Sequence, residues 1–204
     1  MGIFITFEGM EGSGKSTQVG KLGARFREEG RSIEVVREPG GTRIGELIRH
    51  ITHDRENVEL TAVTEAYLMA AARGQLVREI IKPALEAGKI VIADRFIDSS
   101  LAYQGFGRNL GEETILKLNE LALDQVFPTL TIFLDIAPAE GFKRRNGTEK
   151  IDRLDLQQKE FYERVYEGYK KLAVKYKDRY VVVDSRKPID HVAEVCYNAI
   201  ITHI

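Results

Sequence analysis

Gly9, Gly14, Lys15 and Ser16 stand in the spacing G-x-x-x-x-G-K-[ST] within EGMEGSGKST, residues 8 to 17. That spacing suits the capture of a phosphate chain. Glycines allow positive φ and close backbone approach, so successive N–H groups and a helix N-terminus can surround phosphate oxygens. Lys15 would reach the β- and γ-phosphates, and the Ser16 hydroxyl would bind Mg²⁺. The expected donor-side set is Gly9, Met10, Glu11, Gly12, Ser13, Gly14, Lys15, Ser16 and Thr17. Glu11 is the odd member, because a carboxylate at short range repels phosphate. It is expected to point away from the donor phosphates and to accept a hydrogen bond from a second ligand.

Three further segments carry residues of the right type. In DRFIDSSLAYQG, residues 94 to 105, Asp94 can order magnesium or its waters and Arg95 can fork onto a phosphate. The same pair could be a salt bridge capping the next helix. REPGGTRIGELIR, residues 37 to 49, begins with a Pro-Gly-Gly turn and predicts a helix starting near Thr42. FKRRNGTEKIDR, residues 142 to 153, gathers Lys143, Arg144, Arg145, Lys150 and Arg153. Cations of this kind can neutralise a migrating phosphoryl group, although a solvated helix end has the same composition.

The elements that must position these residues are legible as alternating patterns. Five runs rich in β-branched and aromatic residues, 3–8, 32–38, 89–95, 129–136 and 179–185, are near-continuously apolar, as strands covered on both faces are. Between them lie stretches of helical period, such as Phe161, Val165, Tyr169, Leu172 and Tyr176, or Val63, Tyr67, Ala70, Val77, Ile80 and Ile81. The alternation predicts an α/β fold, a parallel sheet between helix layers, with ligands at the carboxyl ends of the strands. No linker-like tract divides the 204 residues, so one domain spanning 1–204 is expected. Thirty Lys and Arg against 31 Asp and Glu leave no polybasic field for nucleic acid or an acidic membrane surface. The first residues, with only five apolar positions before Glu8, read as a strand and not as a signal peptide or membrane span. A lone cysteine, Cys196, reads as buried filler and fits a reducing cytoplasm.

Taken together, FEGMEGSGKST, REPGGT, DSSLAYQG, FPTLTIFLDI and DRLDLQQKEFYERVYEGY resemble thymidylate kinase of the bacterial type, over nearly the whole chain. The resemblance implies a P-loop NTPase-type three-layer fold, nucleoside monophosphate kinase-like, with a five-stranded parallel sheet. It implies transfer of the γ-phosphoryl group of ATP to dTMP, with Mg²⁺, and a homodimer. It makes Arg95 a ligand for the acceptor phosphate and places Arg37 and Glu38 near the phosphate and magnesium region. Arg73 would donate to the pyrimidine carbonyl, Ser100 and Gln104 would read the remaining base edge, and Tyr103 would lie against the sugar. Arg49 and Ser99 would border this pocket, and Glu11 would address the 3′-hydroxyl. Where the family usually has a phenylalanine that stacks on thymine, this chain has Met69, which leaves a kinase for another nucleoside monophosphate as the alternative. A nucleotide-switch module would have little use for the second constellation.

The resemblance also bears on the catalytic charge. One branch of the family places an arginine after the acidic loop residue, and here that position is Gly12. The other branch supplies cations from a lid, which implies residues 142–153, with Arg144 and Arg153 favoured and Lys150 a further candidate. Arg153 could also stack on adenine, and DSRKP, residues 184–188, resembles the adenine-side loop.

Overall fold

All five apolar runs become strands. β1 is Ile3–Glu8, and the other four are trimmed by one residue at each end: β2 Ile33–Arg37, β3 Ile90–Asp94, β4 Leu130–Asp135 and β5 Tyr180–Asp184. The computed structural model describes residues 2–145, 153–154 and 157–204. Every strand pair is parallel, in the order β2-β3-β1-β4-β5. The register sets Phe7 and Arg37 level with Asp94, so three strand ends open onto one edge.

The helices are α1 Lys15–Glu28, α2 Arg43–His53, α3 Ala62–Leu76, α4 Lys82–Glu86, α5 Ile97–Ser100, α6 Glu112–Leu123, α7 Pro138–Arg145, α8 Lys159–Lys175 and α9 Ile189–Ile201. α2 begins where the sequence predicts, with the Thr42 hydroxyl accepting from the Gly45 N–H at 2.9 Å. A π-helical segment, Val77–Ile81, joins α3 to α4, and a second, Leu101–Gly107, continues α5. The second carries Tyr103 and Gln104, and such π segments recur at functional sites.

Alternating residues of β1 feed two apolar layers. Phe4 packs with Leu76, Leu101, Val165 and Tyr169 on one face, while Ile5 and Phe7 pack with Val19, Leu22, Phe26 and Cys196 on the other. Cys196 is unpaired and fully buried, and burial pushes its thiol up to about 12.

Two expectations need correction. The edge strands are not covered on both faces: β2 is mostly half-buried and Val182 of β5 is 54 % exposed. Being apolar, such strands read like central ones. The stripe on α3 also divides, with Ala70 buried but Val63 and Tyr67 facing outward at 51 % and 63 % exposure. Beside them on α2, Leu47 and Ile51 are exposed too.

Candidate active site

The chain leaves β1 at Glu8 and turns through Gly9–Gly14 into α1. Gly14, the residue before the helix, has φ 90°, a conformation open to glycine. Lys15 is buried, and its ammonium donates to the carbonyls of Gly9 and Met10 at 3.1 and 2.9 Å and to the Ser13 hydroxyl at 3.3 Å. Burial, with the neighbouring Arg95 charge, lowers the Lys15 ammonium to about 8, against the pull of Asp94 and Glu11. The Ser16 hydroxyl donates to Asp94 Oδ2 at 2.5 Å, bringing together the two residues expected at magnesium. Met10 itself is sunk in the core.

These residues form one wall of a cleft of about 400 Å³. Gly12, Gly14, Lys15, Ser16 and Thr17 line that wall. Arg37, Glu38, Arg49, Met69, Arg73, Arg95, Ser99, Ser100, Tyr103 and Gln104 line the rest, so the residues expected at the acceptor share one cleft with the loop. Glu11 stands between the two sides. Its carboxylate accepts from the Tyr103 hydroxyl at 2.7 and 2.8 Å and from Arg95 Nη2 at 3.0 Å. Burial pushes the Glu11 carboxyl up, but Arg95, Lys15 and the Tyr103 hydrogen bond outweigh it and hold it below the usual carboxylate range.

Arg95 is the most constrained of these groups. It has φ 73°, in the left-handed region that a bulky residue rarely adopts, and its N–H is tied to the Phe7 carbonyl at 3.0 Å. Its Nη1 donates to Gly9 O, Ser99 Oγ and Tyr169 Oη at 3.0 to 3.2 Å. Behind it, Glu8 is fully buried and accepts from Ser99, Tyr169 and the Phe96 N–H. Desolvation, reinforced by Asp98, raises the Glu8 carboxyl.

Deeper in the cleft, Arg73 is 2 % exposed. Its Nε and Nη2 donate to Glu38 Oε2 at 3.0 and 2.6 Å, its Nη1 to Asn119 at 2.5 Å, and its Nη2 to Ser100 at 3.0 Å. Glu38, expected close to the phosphate and magnesium region, lines the cleft, and its carboxylate accepts from Arg73. Burial raises the Glu38 carboxyl against that pairing, and its Oε1 has no hydrogen-bond partner among the described residues. Arg37 reaches Glu46 at 2.6 Å, and Arg49 donates to the Pro39 carbonyl at 3.2 Å.

The basic segment divides. Arg144, on α7, lines the cleft and donates to the Ser185 carbonyl at 2.8 Å, which brings it against the expected adenine-side loop. Arg153 does not line the cleft. It is 3 % exposed, its Nε donates to the Thr52 carbonyl at 2.9 Å, and its Nη2 pairs with Glu65. The guanidinium expected at the phosphoryl group or adenine is thus held by a buried carboxylate outside the cleft. Lys150 and the Arg145 side chain lie outside the described residues. The underside of α7 explains Gly12. A Cβ at Gly12 would lie 2.0 Å from the Gly141 carbonyl oxygen, and one at Gly141 would lie 2.2 Å from that of Glu11.

Sequence reasoning missed several participants. Glu65 is fully buried and collects Gln104, Arg108 and Arg153. His53 lines the cleft, where burial and the nearby Arg49 and Arg95 charges push its imidazole down to about 3. Asn119 supports Arg73, and Tyr169 supports Arg95. Each reads in sequence as an ordinary helix-face residue, and only the fold joins it to the cleft.

Comparison with known proteins follows the same line. The family model described as thymidylate kinase matches residues 7–195. A thymidylate kinase of Geobacillus thermodenitrificans is 50 % identical over 193 residues, covering 94 % of this chain and 86 % of that protein. One from Geobacillus sp. (strain WCH70) is 47 % identical over 205 residues, covering 100 % and 98 %. The crystal structure of thymidylate kinase from Ehrlichia chaffeensis superposes with a TM-score of 0.78 at 33 % identity, covering 98 % of both chains. With a family match over most of its length and relatives this similar end to end, the chain belongs to the thymidylate kinase family.

Proposed function

We propose that the cleft binds ATP along the phosphate-loop wall and dTMP along the Arg95 wall, and that the γ-phosphoryl group passes between them to give dTDP and ADP. The observation that carries this reading is the position of Glu11. One carboxylate, in the loop built for the donor, is hydrogen-bonded to Tyr103 and Arg95 of the acceptor side, so both ligands meet at one residue. Lys15 and the loop N–H groups hold the donor phosphates, Arg95 holds the acceptor phosphate in line, and Arg73 with Gln104 orients the base. The chain need supply no nucleophile, because a phosphate oxygen of dTMP attacks. Ser16 and Asp94 present a hydroxyl and a carboxylate oxygen, hard donors that fit Mg²⁺, an ion that usually keeps waters and phosphate oxygens as its other ligands. When bound, Mg²⁺ neutralises charge on the phosphates. Steady-state assays of the natural nucleoside monophosphates with ATP and Mg²⁺ test the reading, and a protein that does not favour dTMP would contradict it.

Arg144 is our candidate for the cation that meets the transferred group. Arg144→Ala is expected to lower kcat by roughly 10³ while the Kd for ATP shifts by less than about threefold, because the charge it meets develops in the transition state. Single-turnover kinetics beside ATP titration separates the two. Near-normal turnover would move the role to another residue of 142–153.

We further propose a homodimer formed through α2 and α3. Leu47 and Ile51, four apart on α2, and Val63 and Tyr67, four apart on α3, expose apolar surface at 45 to 63 % of their areas. Tyr67→Glu should yield a monomer in analytical ultracentrifugation, and a sedimentation coefficient equal to that of the unaltered protein would rule this face out. The reading places the enzyme in the cytoplasm, acting on free nucleotides without nucleic acid or membrane partners. Among the described residues, no helix is long and apolar enough to cross a membrane.

A further inference from the structure

Glu65 lies on α3, fully buried, at the back of the wall that carries Gln104. Its Oε1 accepts from Gln104 Nε2 at 2.7 Å and its Oε2 from Arg108 Nη2 at 3.0 Å, and Arg153 completes the shell. Burial favours the protonated carboxyl, but Arg108, Arg153 and Gln104 outweigh it and keep Glu65 below the usual carboxylate range. An ionised carboxylate only accepts hydrogen bonds. The Gln104 amide must therefore turn its NH₂ toward Glu65, which fixes its carbonyl oxygen as the atom it can offer a ligand. Gln104 is 2 % exposed and lines the cleft, so the amide has no room to ignore this constraint. Arg73, lining the same cleft, can only donate. Among the described residues, four of its five N–H groups are directed to Glu38, Asn119 and Ser100, which leaves one on Nη1. The pocket thus pairs a donor with an acceptor.

We propose that Glu65 is a positioning residue for base selection, holding Gln104 so that the pocket accepts a pyrimidine with a ring N–H beside a carbonyl. A pyrimidine with an amino group beside an unprotonated ring nitrogen presents the inverse pattern and leaves both buried groups unpaired. The inference rests on the dTMP reading above and adds the residue that sets its selectivity.

The test compares dTMP, dCMP and N3-methyl-dTMP on the unaltered enzyme and on Glu65→Gln and Arg108→Lys. Glu65→Gln lets its own amide donate to the Gln104 carbonyl, freeing the NH₂ of Gln104 to face the ligand. It should lower the dTMP:dCMP ratio of kcat/KM by about tenfold or more, mainly through KM. Arg108→Lys keeps a cation beside Glu65, and with it the bond from Gln104, while removing only the planar guanidinium, so the ratio should stay within about twofold. The unaltered enzyme should bind N3-methyl-dTMP at least about tenfold more weakly than dTMP. An unchanged ratio in Glu65→Gln, or an equal fall in Arg108→Lys, overturns the proposal. If Glu65→Gln does not fold, the methylated nucleotide decides, and equal binding of the two ligands by the unaltered enzyme overturns it. An enzyme that phosphorylates dTMP yet binds both equally defeats this inference alone, while one that does not phosphorylate dTMP defeats the reading beneath it as well.

Discussion

Arg95→Met is expected to lower kcat/KM for dTMP by about 10³ or more, while the Kd for ATP changes by less than about threefold. Methionine keeps most of the volume and removes only the charge and the fork. Two losses then coincide. The acceptor phosphate loses its planar donor, and Glu11 loses a cation partner at 3.0 Å in a site where both side chains are less than a fifth exposed. Breaking a buried ion pair by removing one partner costs about 3 to 5 kcal/mol, because the remaining charge stays desolvated. Some of that cost will appear as a lower melting temperature, so kinetics and calorimetry belong together. Relief of the strained φ at position 95 will not offset it, since methionine is no freer there than arginine. Arg95→Lys restores charge without the bidentate geometry and should fall between the two. A variant whose ATP and dTMP affinities fall by equal factors would show that Arg95 supports the loop and does not address the acceptor.

What could be read from the sequence, and what could not, follows from distance along the chain. The phosphate loop is legible because its parts are covalent neighbours: strand, glycines, lysine and hydroxyl follow one another within fourteen residues, 3 to 16. The five strands are legible because each carries its own apolar pattern. Glu65 is invisible for the opposite reason. Its partners Gln104, Arg108 and Arg153 stand 39, 43 and 88 residues away, and a glutamate on an amphipathic helix looks solvated until the fold buries it. Arg153 shows the limit of a motif, which fixes where a residue sits in the chain but not which carboxylate competes for it. Val63 and Tyr67 show the limit of periodicity, since an apolar stripe has the same spacing whether it faces the core or open surface.

Gly12→Arg, which restores the arginine that one branch of the family carries after its acidic loop residue, is expected to abolish turnover and not to improve it. The sequence alone suggests that the loop lacks an arginine beside its lysine. The structure shows that the space is taken: the Gly141 carbonyl oxygen stands 2.0 Å from where a Cβ at position 12 would be, and Gly12 has φ 72°. Any side chain there must push α7 off the loop. Because Arg144 stands three residues further along α7, the displacement carries that cation away from the cleft. A shift of about 1 Å at a reacting group can cost about 10²-fold in rate, so even Gly12→Ala should lower kcat by that order. Gly141→Ala should do the same from the other side, its Cβ meeting the Glu11 carbonyl oxygen at 2.2 Å. Gly20→Ala, exposed in mid-helix on α1 with nothing within 4 Å of its Cβ, is the control and should keep full activity with equal or greater stability. The double variant separates one contact from two. If loop and helix meet only through this backbone pair, the first methyl group already opens the gap that the second would need. Gly12→Ala with Gly141→Ala should then lose little more activity than either alone, whereas multiplied losses would mean that the two glycines act independently.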